Sequence, residues 1–203
     1  MGVRVTRKPA EERRRDLVEA GLRVIAREGM HGATVRAIVA EAGVPLATFH
    51  YVFDSRDQMI GEAYAYVVLP RVGDVPMPFP DDASPVDAVR AVLHDWVDRF
   101  AEHPEYELAV MEIMAYCTRT PTLAHLPGEV QARYVEIVST VISAICEQLD
   151  VEPQQPLEEL SQLVLHITDG LTYCMLRTGD AAASRRFVEA AAPMLTAAVM
   201  GER

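Results

Sequence analysis

The chain has 203 residues, half of them hydrophobic and 24% charged, which is enough apolar mass for a sizeable core and excludes disorder over most of the length. No apolar run approaches the roughly 18 residues needed to span a bilayer, and three scattered cysteines (Cys117, Cys146, Cys174) indicate neither a disulfide framework nor a zinc site. The formal charge of −11 is unevenly spread: residues 1–58 carry ten Arg or Lys against eight Asp or Glu, net +2, and the remainder is net −13.

Abundant Ala, Leu, Glu and Arg with few β-branched runs point to an all-α protein, and the breaks below divide it into about nine helices. The opening stretch MGVRVTRKPAEERRR is basic, but no apolar segment follows it, so it is not expected to be a secretory signal. Thr6 alone supports a myristoylation motif, and a cytoplasmic location, with no membrane partner, is the expectation. Residues 1–9 read as an arm that carries Arg7 and Lys8.

From Ala10 to Glu28 the pattern is helical, with Leu17, Gly21, Val24 and Ile25 on one face. Gly29, His31 and Gly32 are expected to end it. Thr34 is then an N-cap, its hydroxyl able to accept from a free N–H of the next turn. Val35, Ile38, Val39 and Ala42 form the apolar face of a second helix, and Gly43 allows a tight turn. Pro45 suits the start of a third helix, where its missing N–H is not needed. That helix turns Leu46, Ala47, Thr48, His50 and Tyr51 outward and anchors itself on Phe49 and Phe53. Ser55 with Gln58 forms a capping box that opens a fourth helix, Arg56 to about Leu69.

Two short helices joined by a glycine-containing turn make a helix-turn-helix. A helix that enters the major groove needs a slim face with polar tips. Ala47 permits close approach, and Thr48, His50 and Tyr51 can donate to phosphates or base edges. The helix starts at Thr34 and Pro45 can also turn backbone N–H groups toward phosphate. The charge split agrees, since an acidic body would be repelled by phosphate and only the N-terminal end would meet DNA.

The pattern Thr34, Val35, Arg36, Ile38, Ala42, Gly43, Val44, Thr48, Phe53, followed by Ser55, Arg56, Asp57 and Met59, resembles the DNA-binding domain of the TetR family of transcriptional regulators. The likeness covers about Ala10 to Met59. It implies a DNA-binding domain over residues 1–55 and a ligand-binding and dimerisation domain over 56–203. It further implies a homodimer that binds a palindromic double-stranded operator through Arg7, Lys8, Thr34, Val35, Arg36, Pro45, Leu46, Ala47, Thr48, His50 and Tyr51. The chain departs from the family pattern at Val39, at Pro45-Leu46-Ala47 and at His50. The second departure removes a hydroxyl and a basic residue, and so bears on which sequence is read.

Beyond the fourth helix, Pro70 to Pro85 holds five prolines and reads as a loop. Helices are expected over 86–101, 105–117 and, after Pro127-Gly128 breaks the chain, 129–149. Residues 150–156 read as a linker. Next comes an apolar seam, Leu157, Leu160, Val164, Ile167, Leu171 and Cys174, with a second mixed face at Leu163, His166, Gly170, Tyr173 and Leu176. A helix apolar on two sides is either central or shared with a partner. The last run, Ser184 to Met200, is Ala-rich. These two helices are expected to form a two-fold interface through Leu160, Val164, Ile167, Leu171, Phe187, Ala191, Met194 and Leu195.

The resemblance also implies a pocket for a small-molecule inducer, for which Trp96, Phe100, Met111, Met114, Tyr134, His166 and Tyr173 are the candidates. No cofactor or metal ligand set is expected. Catalytic motifs are missing: there is no His-Glu-x-x-His, no Gly-rich phosphate loop and no Gly-x-Ser-x-Gly elbow. The alternative function is a helical adaptor that does not bind DNA.

Overall fold

The computed structural model describes residues 9–68, 79–80 and 82–200. Among these are nine helices and no strand: α1 (Ala10–Gly32), α2 (Val35–Glu41), α3 (Leu46–Val52), α4 (Arg56–Val68), α5 (Pro85–Glu102), α6 (Pro104–Arg119), α7 (Leu126–Gln148), α8 (Leu157–Thr178) and α9 (Ala181–Met200). Most of the expected proline-rich loop, residues 70–78 and 81, lies outside the described residues, as does the expected helix end at Leu69. Residues 1–69 with 108–128 form one compact unit, and residues 70–107 with 129–203 form another.

In the first unit α1 is the helix on which α2, α3 and α4 pack. Leu17, Val18, Leu22, Val24 and Ile25 form its buried stripe, and Ile38 and Val39 of α2, Phe49 of α3, and Met59 and Ile60 of α4 are buried as well. A Cβ at Gly21 would stand 2.9 Å from Met59 Sδ, so the absence of a side chain sets how closely the unit packs there. α4, which begins just past the expected boundary at residue 55, packs on α1 within this unit. Gly29, at φ 73°, interrupts α1 as expected, but one more helical turn follows to Gly32.

The second unit is held by α5, α8 and α9. Leu93, Val97 and Phe100 of α5, Leu171 and Met175 of α8, and Val188, Ala191, Ala192 and Leu195 of α9 form one buried cluster. Ile142 and Cys146 of α7, Leu160 of α8 and Val199 of α9 form a second. Pro127 and Gly128 do not precede α7 but lie in its first turn, where proline sacrifices no helical hydrogen bond. Gly179, left-handed at φ 67°, caps α8, and the Asp180 carboxylate accepts from Ala183 N at 2.8 Å to start α9. Pro193 stands inside α9.

These clusters correct half of the expected interface. Leu160, Leu171, Ala191 and Leu195 are buried inside the chain's own core, and Val164 and Ile167 are half-buried against it. α8 has two apolar faces, and the seam at spacing 3 and 4 is the one that meets α5 and α9 of the same chain. The other face stays open: Leu163 and Tyr173 of α8 and Phe187 and Met194 of α9 are exposed, Met194 at 73%.

Candidate nucleic-acid interface

The geometry of the first unit begins with local chemistry. Thr34 Oγ1 accepts from Ala37 N at 3.1 Å and so caps α2. Gly43, at φ 66°, is the left-handed residue that lets the chain reverse; Gly43 N donates to Ala40 O and Val44 N to Val39 O. Pro45, extended at ψ 150°, precedes α3. Ser55 Oγ accepts from Gln58 N, and Gln58 Oε1 accepts from Asp54 N, one residue earlier than a strict capping box requires.

α3 stands on Phe49 and Phe53, both buried, with ring centroids 5.4 Å apart. Its opposite face is open. Pro45, Leu46, Ala47, His50 and Tyr51 are exposed, Tyr51 at 64% and Leu46 at 43%. Thr34 and Arg36 are exposed as well, whereas Val35 and Thr48 are half-buried. Thr48 thus belongs to the flank of α3 rather than to its outward face. Arg7 and Lys8 lie outside the described residues.

Much of the N-terminal positive charge serves structure. The Arg14 guanidinium lies over the Phe53 ring at 4.6 Å, donates to Val52 O at 2.8 Å and pairs with Glu62. One side chain of α1 thereby fastens the end of α3 to α4. Arg23 and Arg27 both donate to Glu41, at 2.9 and 3.1 Å, and these hydrogen bonds hold the Glu41 carboxyl below the usual carboxylate range. Arg56 donates to Ala33 O and Met30 O, at 2.5 and 2.6 Å, across the turn between α1 and α2. Arg36, by contrast, has no ion-pair partner among the described residues. A count of charges along the chain could not separate these roles, because each pairing depends on which helices cross.

The helix expected over 105–117 is present as α6, but its contacts with α1 and α4 were not legible in the sequence. Glu112 Oε2 accepts from Met30 N at 2.6 Å, just past the Gly29 kink, over a separation of 82 residues. Tyr116 Oη donates to Asp57 Oδ1 at 2.6 Å and accepts from Arg56 Nη1 at 3.3 Å. Hydrogen bonding to the Asp57 carboxylate, and then burial, pushes the Tyr116 hydroxyl above the usual phenol range. Two residues one turn apart on α6 therefore hold both the α1–α2 junction and the first turn of α4. Only the spacing of Glu112 and Tyr116, i and i+4, was visible in advance, and it names no partner.

The expected ligand residues are divided between the two units. Met111 and Met114 belong to the first unit, and Trp96, Phe100, Tyr134, His166 and Tyr173 to the second. Phe100 is part of the buried cluster of α5, α8 and α9, and His166 and Tyr173 are exposed on the outer face of α8. Trp96, Met111 and Tyr134 are half-buried, and Met114 is exposed. An open groove of about 440 Å³ runs along the end of α7 beside Glu147, Asp150 and Glu152, and includes none of the seven. Among the described residues no group of His, Cys, Asp or Glu is placed to hold a metal ion, and no helix is long and apolar enough to cross a membrane.

Comparison with known proteins places this geometry. The pattern described as bacterial regulatory proteins of the tetR family matches residues 17–63, from the buried stripe of α1 to α4. The HTH-type nicotine-responsive transcriptional repressor HdnoR of Paenarthrobacter nicotinovorans is 30% identical over 141 residues, which span 68% of this chain and 71% of that protein. The HTH-type transcriptional regulator PksA of Bacillus subtilis is 27% identical over 167 residues, 79% of this chain and 77% of the relative. Among solved structures, a TetR transcription regulator from Haloarcula marismortui superimposes with a TM-score of 0.72 at 17% identity, covering 93% of this chain and 98% of the other.

Proposed function

The chain belongs to the TetR family of transcriptional regulators, and from that premise we propose that it is a ligand-responsive repressor that binds a palindromic operator as a homodimer and is released by a small-molecule inducer. One observation carries the reading: α3 is anchored by Phe49 and Phe53, while Leu46, Ala47, His50 and Tyr51 stand free on its other side. A helix presented in this way fits the major groove. Arg36 supplies a positive charge that no partner among the described residues neutralises, and Arg7 and Lys8 add to the positive charge of the sequence at this end.

The second copy docks on the outer face of α8 and α9 through Leu163, Tyr173, Phe187 and Met194. A two-fold dimer is what a palindromic operator with half-sites about 34 Å apart requires. Trp96 and Tyr134, half-buried in the second unit, are the proposed inducer contacts. The response reaches the reading head through α6 and α4. Glu112 and Tyr116 support this route, because a shift of α6 would pull on Met30 N and Asp57 together. A coupling of about 1–3 kcal/mol would lower operator affinity about 5- to 150-fold.

The test is a mobility shift of the full chain on DNA upstream of its own coding sequence, taken over a salt series. The logarithm of affinity should fall steeply with that of salt, and Arg36→Ala should reduce the slope by about 1. Failure to retain any fragment would instead favour a helical adaptor that does not bind DNA.

A further inference from the structure

Resting on the DNA-binding reading, we infer that α3 recognises the 5-methyl groups of thymine, so that the bases beneath Leu46 and Ala47 are A·T pairs with thymine facing the protein. α3 is LATFHYV. It contains no Arg, Lys, Asn, Gln, Asp or Glu. In the major groove those are the side chains that make the paired or charged hydrogen bonds identifying guanine, adenine or cytosine, and an apolar side chain is what identifies the thymine methyl. The outward face of α3 begins with two apolar residues, Leu46 and Ala47, followed by His50 and Tyr51.

Most of the neighbouring arginines are committed elsewhere, and Arg36, which is not, stands on α2 and not on α3. Arg14 is committed to Glu62 and Val52 O, Arg23 and Arg27 to Glu41, and Arg56 to Ala33 O and Met30 O. A guanine beneath the tip of α3 would therefore present two acceptors to Leu46 and Ala47, whose side chains have no donor to offer. The correct base instead places a methyl group against the exposed part of Leu46, and both surfaces leave water together. Burial of one methyl-sized group favours the thymine-containing site about fourfold. His50 and Tyr51 can each add single hydrogen bonds to phosphate or a base edge, which position α3 without naming a base.

The experiment begins with selection of bound duplexes from random DNA by the full-length protein. Each thymine of the selected half-site is then replaced by uracil, which deletes one 5-methyl group and leaves base pairing unchanged, and affinity is measured by fluorescence anisotropy at fixed salt. At one or two positions in each half-site the loss should be about fourfold per methyl, and Leu46→Ala should abolish that loss at one of them. Leu46→Arg should move the preference at that position toward guanine. A selected half-site whose uracil substitutions all leave affinity unchanged would overturn the inference and leave DNA binding intact. Selection of no duplex at all would overturn the DNA-binding reading, and the inference with it.

Discussion

Met194 and Leu195 are neighbours in the chain with opposite surroundings, and the proposed interface requires that they fail in different ways. Leu195 is 3% exposed within the core of α5, α8 and α9, and Met194 is 73% exposed on the outer face of α9. Leu195→Ala removes buried atoms and leaves a cavity, so the folded chain should lose about 2–5 kcal/mol. Met194→Ala removes almost nothing from the isolated chain. In a two-fold dimer, however, the exposed part of the methionine is buried twice. Complete burial of such a side chain contributes about 1.5–3 kcal/mol, so three quarters of it gives about 1.5 kcal/mol per copy and about 3 kcal/mol per dimer. The dimer dissociation constant should therefore rise by about 100-fold. Sedimentation equilibrium over a dilution series reads that constant, and urea unfolding of each variant reads the fold. An unchanged dissociation constant for Met194→Ala, with unfolding also unchanged, would refute the placement of the interface on this face.

Thr34→Ala deletes the acceptor for Ala37 N at the start of α2, and should cost about 1 kcal/mol and lower the melting temperature by about 2–4 °C in calorimetry. Tyr116→Phe removes the donor to Asp57 and the acceptor from Arg56, and should cost about 1 kcal/mol at neutral pH. Because the folded protein raises the Tyr116 hydroxyl above the ordinary value of about 10, its contribution is present below that pH and is lost as the pH rises through the elevated value. Urea unfolding of the parent and the variant should accordingly converge on the alkaline side, and a stability gap that persists undiminished there would contradict the assignment.

The local chemistry of the reading head was legible in residues 34–58. Thr34 caps α2, Gly43 takes the left-handed turn, Pro45 precedes α3, and Phe49 and Phe53 are its anchors. Each depends on atoms within about four residues along the chain, so residue type and spacing suffice. The same holds for the existence of nine helices among the described residues. What lay beyond reach was the choice among distant partners. The expected break at Pro127-Gly128 became the first turn of α7, since proline and glycine are tolerated there as readily as in a loop.

Sequence by itself therefore determined the helix-turn-helix, its cap, its turn and its two aromatic anchors. Only the tertiary structure decided which of the two apolar faces of α8 is buried, which arginines are consumed by Glu41, Glu62 and backbone carbonyls, and that Glu112 reaches Met30 N across 82 residues. Periodicity states that a face is apolar and charge counting states that a cation exists. Neither states what lies opposite, because that is set by how closely helices far apart in the chain can approach, as Gly21 does beside Met59.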